Sequence, residues 1–163
     1  MAAWLVTRHP GRFKALVMHS GIPPGTAHST VSALGAMRGH LPTRPRVATP
    51  TAIAAHWPPL RVIHGVADAV VSPHNAQAAA RVWAEAGGAL SGPARRVQRG
   101  KRHPMSITDF KRDGRTVVTQ VGMAGLAHAW SGGAASQPFG DPRGPDASRP
   151  ARALAATQFQ TPA

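Results

Sequence analysis

Two short stretches carry residue types that ester chemistry needs. The first is VIHGVADAVVSPHNA, residues 62–76, with Asp68 near its centre; the second is GLAHAWSGG, residues 125–133, with His128. A serine hydroxyl is a poor nucleophile near neutral pH and needs an imidazole to accept its proton. The imidazole in turn needs a carboxylate that selects its tautomer and stabilises its charged form. An acid that precedes the histidine along the chain fits the order Ser, Asp or Glu, His of one class of serine hydrolases. Asp68 and His128 have that order. The plainer readings are a turn aspartate ahead of a helix and a loop histidine satisfied by backbone.

No second chemistry competes with this pair. His9, His28, His40, His56, His74 and His103 show no metal-ligand spacing, and with 6 Asp+Glu in the whole chain few carboxylates lie near them. His19 and His64 each end an apolar run and read as rings buried against the loop that follows. Cysteine is absent, which excludes a disulfide framework and a thiolate metal site. No cofactor and no metal is expected. A net charge of +13, from 19 Lys+Arg, raises nucleic acid or an anionic surface as partners. The basic residues are scattered, however, with one dense group at Arg95, Arg96, Arg99, Lys101 and Arg102. Aromatic residues are 5% with no Tyr, so stacking platforms interleaved with cations are missing. No nucleic-acid partner is expected.

No segment approaches the roughly 20 apolar residues that span a bilayer, so no membrane span is expected. The start, MAAWLVTRHP, has no basic n-region and too short an apolar run for a signal peptide.

The elements that must position Asp68 and His128 follow from punctuation and period. Ala2 to Arg8 reads as the end of a helix stopped by Pro10 and Gly11. Phe13 to Met18 and Leu60 to His64 are short apolar runs bounded by glycine, the pattern of buried parallel strands. Between them, Ile22 to Thr51 is rich in Pro, Gly, Ser and Thr and reads as a surface excursion, with a weak helix near Ser29 to Arg38. Ser72 and Pro73 predict an N-cap and first helical position, for a helix running to about Ala86 and ending at Gly87-Gly88. Asp113-Gly114, flanked by Ser106 to Phe110 and Thr116 to Met123, is a hairpin signal. Ala147 to Phe159 predicts a last helix. Alternating helices and buried strands give an α/β class with a largely parallel sheet. Asp68 then falls just past the carboxyl end of a strand, where such sheets gather their reactive groups.

At these segments the chain resembles the polyhydroxybutyrate (PHB) depolymerase family of esterases, α/β-hydrolases that also include feruloyl and acetylxylan esterase-like members. The resemblance runs from about Ala2 to Ser148. It is carried by HPGRFKALVMHSGIPPG (residues 9–25), SALGAMRG (32–39), HGVADAVVSPHNA (64–76), and HAWSGG (128–133) followed by DPRGPDAS (141–148). The last two in that order are the specific signal; an HG-x-x-D element is common to many hydrolases. The resemblance implies an incomplete α/β-hydrolase fold over residues 1–159: the C-terminal half of a mostly parallel sheet with flanking helices, plus a β-hairpin. Residues 160–163 are expected to fray. It implies Asp68 as the triad acid, His128 as the general base, and Trp130 and Ser131 beside the ester site. It also implies a polyhydroxyalkanoate, feruloyl or acetyl ester as substrate and an extracellular location. The chain departs from the pattern at Val66, where the family has an acidic residue, and at Ala127, where it has glycine. A methyl at residue 127 shifts the loop if that position needs positive φ.

The family's G-x-S-x-G-G nucleophile elbow would lie directly ahead of a helix like Ala2 to Arg8, that is, before Met1. The chain is therefore expected to be an N-terminally truncated reading of the family, inactive alone, and poorly soluble or oligomeric. Ser20 follows a strand, but Met18 and Ile22 stand where an elbow needs small residues. Ser131 is too close to His128 in sequence. A non-catalytic binding module on the same scaffold is the alternative function.

Overall fold

A computed structural model describes residues 1–40 and 57–160. The first strand, β1 (Leu16–His19), follows helix α1 (Ala2–Arg8) and a 3-10 turn at Pro10–Arg12. Helix α2 (Thr30–Met37) comes next, then β2 (Leu60–Gly65) and helix α3 (His74–Gly87). Short strands β3 (Leu90–Ser91) and β4 (Arg95–Val97) precede the long hairpin of β5 (Met105–Arg112) and β6 (Arg115–Met123). A small ladder, β7 (Trp130–Ser131) with β8 (Gly140–Asp141), and helix α4 (Ser148–Gln160) complete the chain. The predicted excursion at residues 22–51 lies partly outside the described residues; its weak helix is α2, capped by Ser29.

The sheet runs β1-β2-β6-β5-β3, with β4 also on β5. β1, β2 and β6 are parallel neighbours, while β5 is antiparallel to β6, β3 and β4. All strands but β5 thus point the same way, the mostly parallel sheet with a hairpin that the sequence predicts. Asp113 and Gly114 have φ of 49° and 76°, the positive values that a two-residue hairpin turn requires.

Period two along β2 divides the core. Leu60 and Val62 face α1 and α3, joining Leu16 and Met18 of β1, Val118 of β6 and Ala76, Ala79, Ala80 and Trp83 of α3. The alanines recur at helical spacing and let α3 approach the sheet closely. Ile63 faces the other way and packs with Val121, Met123, Leu126 and Ala147. Leu126 and Ala147 thus anchor the segment after β6 in the core on either side of the largely exposed loop that carries His128.

Boundaries move by a few residues. β1 begins at Leu16 rather than Phe13, because Pro10–Arg12 forms the 3-10 turn and Phe13 only packs against the core edge. Helix α3 starts at His74 with Pro73 as N-cap; Pro73 has no N–H, and Ser72 Oγ accepts weakly from His74 N–H at 3.4 Å instead. Gly88, with φ of 61°, closes that helix as expected. The expected frayed tail loses Gln160 to α4, and residues 161–163 lie outside the described residues. No helix among the described residues is long and apolar enough to cross a membrane.

Candidate active site

β2 and β6 end side by side, with Gly65 opposite Met123. The loops that leave them are stitched by backbone: Val66 N–H donates to Met123 O at 2.9 Å and Ala67 N–H to Leu126 O at 3.0 Å. Gly65 makes this possible. A Cβ there would drive into the Leu126 carbonyl oxygen and lie 2.7 Å from Ala127 O. The glycine is required for close approach, not for an unusual φ.

The stitched loops bring Asp68 against His128. Asp68 Oδ2 lies 2.8 Å from His128 Nδ1. Its Oδ1 accepts Val70 N–H at 3.0 Å and Val71 N–H at 2.8 Å. The carboxylate is buried while the His128 side chain is 32% exposed. Burial alone pushes the Asp68 carboxyl up, but the Val71 N–H, His128 and the Val70 N–H outweigh it and hold it below the ordinary range. An ionised Asp68 selects the tautomer with the proton on His128 Nδ1, which leaves Nε2 as a base.

Two more histidines surround this carboxylate. The buried His64 donates from Nε2 to Val71 O at 2.8 Å and stands 3.4 Å from Asp68 Oδ2. Burial pushes its ring below the ordinary histidine value, against the opposing pull of Val71 O and Asp68. His64 is therefore a neutral brace that fixes the far end of the acid loop. His19 stacks on Trp130 with centroids 4.7 Å apart, and its Nε2 faces Ser131 N–H at 3.4 Å. Burial, reinforced by His64 and His128, lowers it to about 4, against Asp68. The strand-ending, buried role expected for His64 holds; His19 ends its strand but is only half-buried, and both also touch the site residues.

The two flanking residues part company. Trp130 is 44% exposed and presents its ring to His19. Ser131 is fully buried, and its hydroxyl donates to Pro145 O at 2.6 Å. It is turned into the fold rather than toward an ester, because the β7–β8 ladder points it inward. Phe139, missed in the sequence, packs edge-on to His128 at 6.0 Å and is exposed, as are Val66 and Val70. Its φ of 57° is uncommon for a bulky residue. Ala127 is not among the positive-φ residues, so the condition under which its methyl would shift the loop is not met. Among the described residues no serine hydroxyl is hydrogen-bonded to His128. Ser20, at φ of 50° just after β1, has a buried Oγ with no partner. Among the described residues there is also no group of three or more His, Cys, Asp or Glu side chains that could hold a metal ion.

A family model described as esterase PHB depolymerase matches residues 1–106, more than half of the 163. The match takes in β2 and Asp68 and stops before β6 and His128. No curated protein matches the chain.

Proposed function

Because the chain belongs to the PHB depolymerase family of esterases, we propose that it holds the acid and general base of a carboxylic ester hydrolase, Asp68 and His128. The nucleophile such a pair serves is a serine, and among the described residues no serine hydroxyl is hydrogen-bonded to His128. The observation that carries this is the Asp68–His128 hydrogen bond of 2.8 Å between a buried carboxylate and a part-exposed ring. Asp68 holds the Nδ1 proton, His128 Nε2 takes the serine proton during attack, and the same proton then passes to the leaving alcohol. The exposed rim of Val66, Val70, Trp130 and Phe139 favours an ester with an apolar body, such as a polyhydroxyalkanoate chain or a feruloyl ester, over a small acetyl group.

The absence of a serine on His128 among the described residues favours a second reading, a non-catalytic binding module on this scaffold. One experiment separates the two. The chain is extended on its N-terminal side by the residues encoded in frame and assayed on p-nitrophenyl butyrate. The hydrolase reading expects turnover that falls about 10⁴-fold or more on His128→Ala. Binding of the polyester without hydrolysis supports the module. Turnover that survives His128→Ala refutes the assignment of the base.

A further inference from the structure

The histidine loop reaches further across the sheet than its contact with Asp68 requires. It leaves β6 and lays the carbonyls of Leu126 and Ala127 against Gly65, the last residue of β2. It then brings Ser131 to His19, the last residue of β1, 112 positions away in the chain. The sheet order is β1-β2-β6, so the loop passes over the carboxyl end of β2 and is met on the far side. His128 lies between the two attachments, with the fully buried Leu126 before it and the fully buried Ser131 after it.

The β7–β8 ladder explains why Ser131 needs a partner from β1. Trp130 N–H donates to Phe139 O at 2.6 Å and Gly132 N–H to Asp141 O at 2.9 Å. Alternation along a parallel strand turns the N–H between them, that of Ser131, away from β8. The other polar groups of Ser131 are committed: its hydroxyl donates to Pro145 O and its carbonyl accepts Ala147 N–H at 3.0 Å. A buried N–H without an acceptor is costly. His19 Nε2 supplies the acceptor, at the long distance of 3.4 Å. The same ring stacks on Trp130, with planes 21° apart. An acceptor nitrogen must be unprotonated, which places the proton of the neutral ring on Nδ1. The titratable groups around the ring are His64, His128 and Asp68. Burial, then His64 and His128, lower it to about 4, with Asp68 opposing. The acceptor is therefore present at neutral pH and lost as pH falls through about 4.

We propose that His19 is a positioning residue for His128: it fastens the histidine loop across the sheet by accepting the Ser131 N–H and stacking on Trp130. Neither contact touches the reacting atoms. Their effect is to hold the backbone on the C-terminal side of His128, so that Nδ1 stays on Asp68. The role rests on His128 as the general base, and the clasp itself is read without turnover.

The test is NMR of the 163-residue chain near neutral pH, with two substitutions that separate the contacts. His19→Phe keeps an aromatic face for Trp130 and removes the acceptor. His19→Gln removes the ring and carries an acceptor oxygen of similar reach. Hydrogen exchange at the Ser131 amide, taken relative to the Val121 amide of β6, is expected to quicken about tenfold in His19→Phe. The deshielded proton between His128 Nδ1 and Asp68 should weaken in the same sample. His19→Gln should restore both toward the parent. A ring that merely fills space gives the reverse order, with Phe matching the parent and Gln not, and that result overturns the clasp. So does Ser131 exchange that is equal in all three proteins. Should the variants fail to fold, the unaltered chain decides: the Ser131 amide shift should titrate with the midpoint of the His19 ring itself, and a shift that ignores that midpoint overturns the proposal. These signals do not depend on whether an extended chain hydrolyses p-nitrophenyl butyrate, so failure of the clasp and failure of the hydrolase reading are told apart.

Discussion

The Gly65→Ala substitution tests how the site is held together. The added Cβ meets the Leu126 carbonyl oxygen and lies 2.7 Å from Ala127 O and 2.8 Å from the Leu126 carbonyl carbon, where ordinary contact begins at 3.4 Å. These are backbone atoms, so no side-chain rotation relieves the overlap. The histidine loop must retreat by roughly 1 Å, against tight core packing. Overpacking of this kind costs about 1–3 kcal/mol. The retreat also breaks the bonds from Val66 N–H to Met123 O and from Ala67 N–H to Leu126 O, each worth about 1 kcal/mol. The expected loss is about 3–5 kcal/mol, a large part of the stability of a domain this size. It is read as a fall in the urea midpoint at unchanged slope, with Gly11→Ala as control because nothing lies within 4 Å of its added Cβ. The same sample should lose the deshielded NMR signal of the proton between His128 Nδ1 and Asp68. A Gly65→Ala protein within about 0.5 kcal/mol of the parent, with that signal intact, would refute the stitching of the two loops.

The remaining predictions concern protons, a tether and turnover. Asp68 is held below its ordinary 3.8, so its contribution is complete above that value and is lost as pH falls through the lower folded value. Asp68→Asn should therefore cost about 2–3 kcal/mol near neutral pH and flatten the urea-midpoint profile below pH 3.8. His19 titrates at 6.5 unfolded and about 4 folded. The unfolded chain binds the proton first, so stability falls as pH drops from 6.5 to about 4, by on the order of 2 kcal/mol after allowance for partial exposure. His19→Phe should remove that slope in the same titration. Asn75, fully buried, donates from Nδ2 to Ala36 O at 2.9 Å and Ser72 O at 3.1 Å. Asn75→Ala should cost about 1–3 kcal/mol by thermal melt by releasing α2 from the start of α3. The 163-residue chain by itself should give no turnover of p-nitrophenyl butyrate above background; turnover lost on His128→Ala would place a nucleophile within the chain after all.

Legibility in the sequence followed the range of the interaction. Asp113-Gly114 announced its turn because only residues tolerant of positive φ serve there. Gly88 announced a helix end for the same reason. The short strands β3, β4, β7 and β8 gave no signal, because two or three residues carry no period and their pairing partners are distant in sequence. The start of α3 was misplaced by one position because capping depends on which oxygen reaches the first N–H.

At the site the division is similar. Residue types and order pointed to Asp68 and His128, since the need for an acid, a base and their sequence is chemistry and survives without coordinates. Trp130, expected beside the site from its place in the HAWSGG segment, is exposed and stacks on His19. Ser131, one residue on, pointed the other way because alternation along β7 turns neighbours to opposite faces. The brace of His64 on the acid loop, the stacking of His19 on Trp130 and the edge contact of Phe139 with His128 join residues from four separate segments. No local pattern encodes such contacts. The sequence by itself determined that a carboxylate and an imidazole stand at the carboxyl ends of two strands in an α/β chain. The tertiary structure alone decided that those ends are adjacent, because parallel pairing of β2 with β6 and the empty side of Gly65 let two loops 60 residues apart close to 2.8 Å.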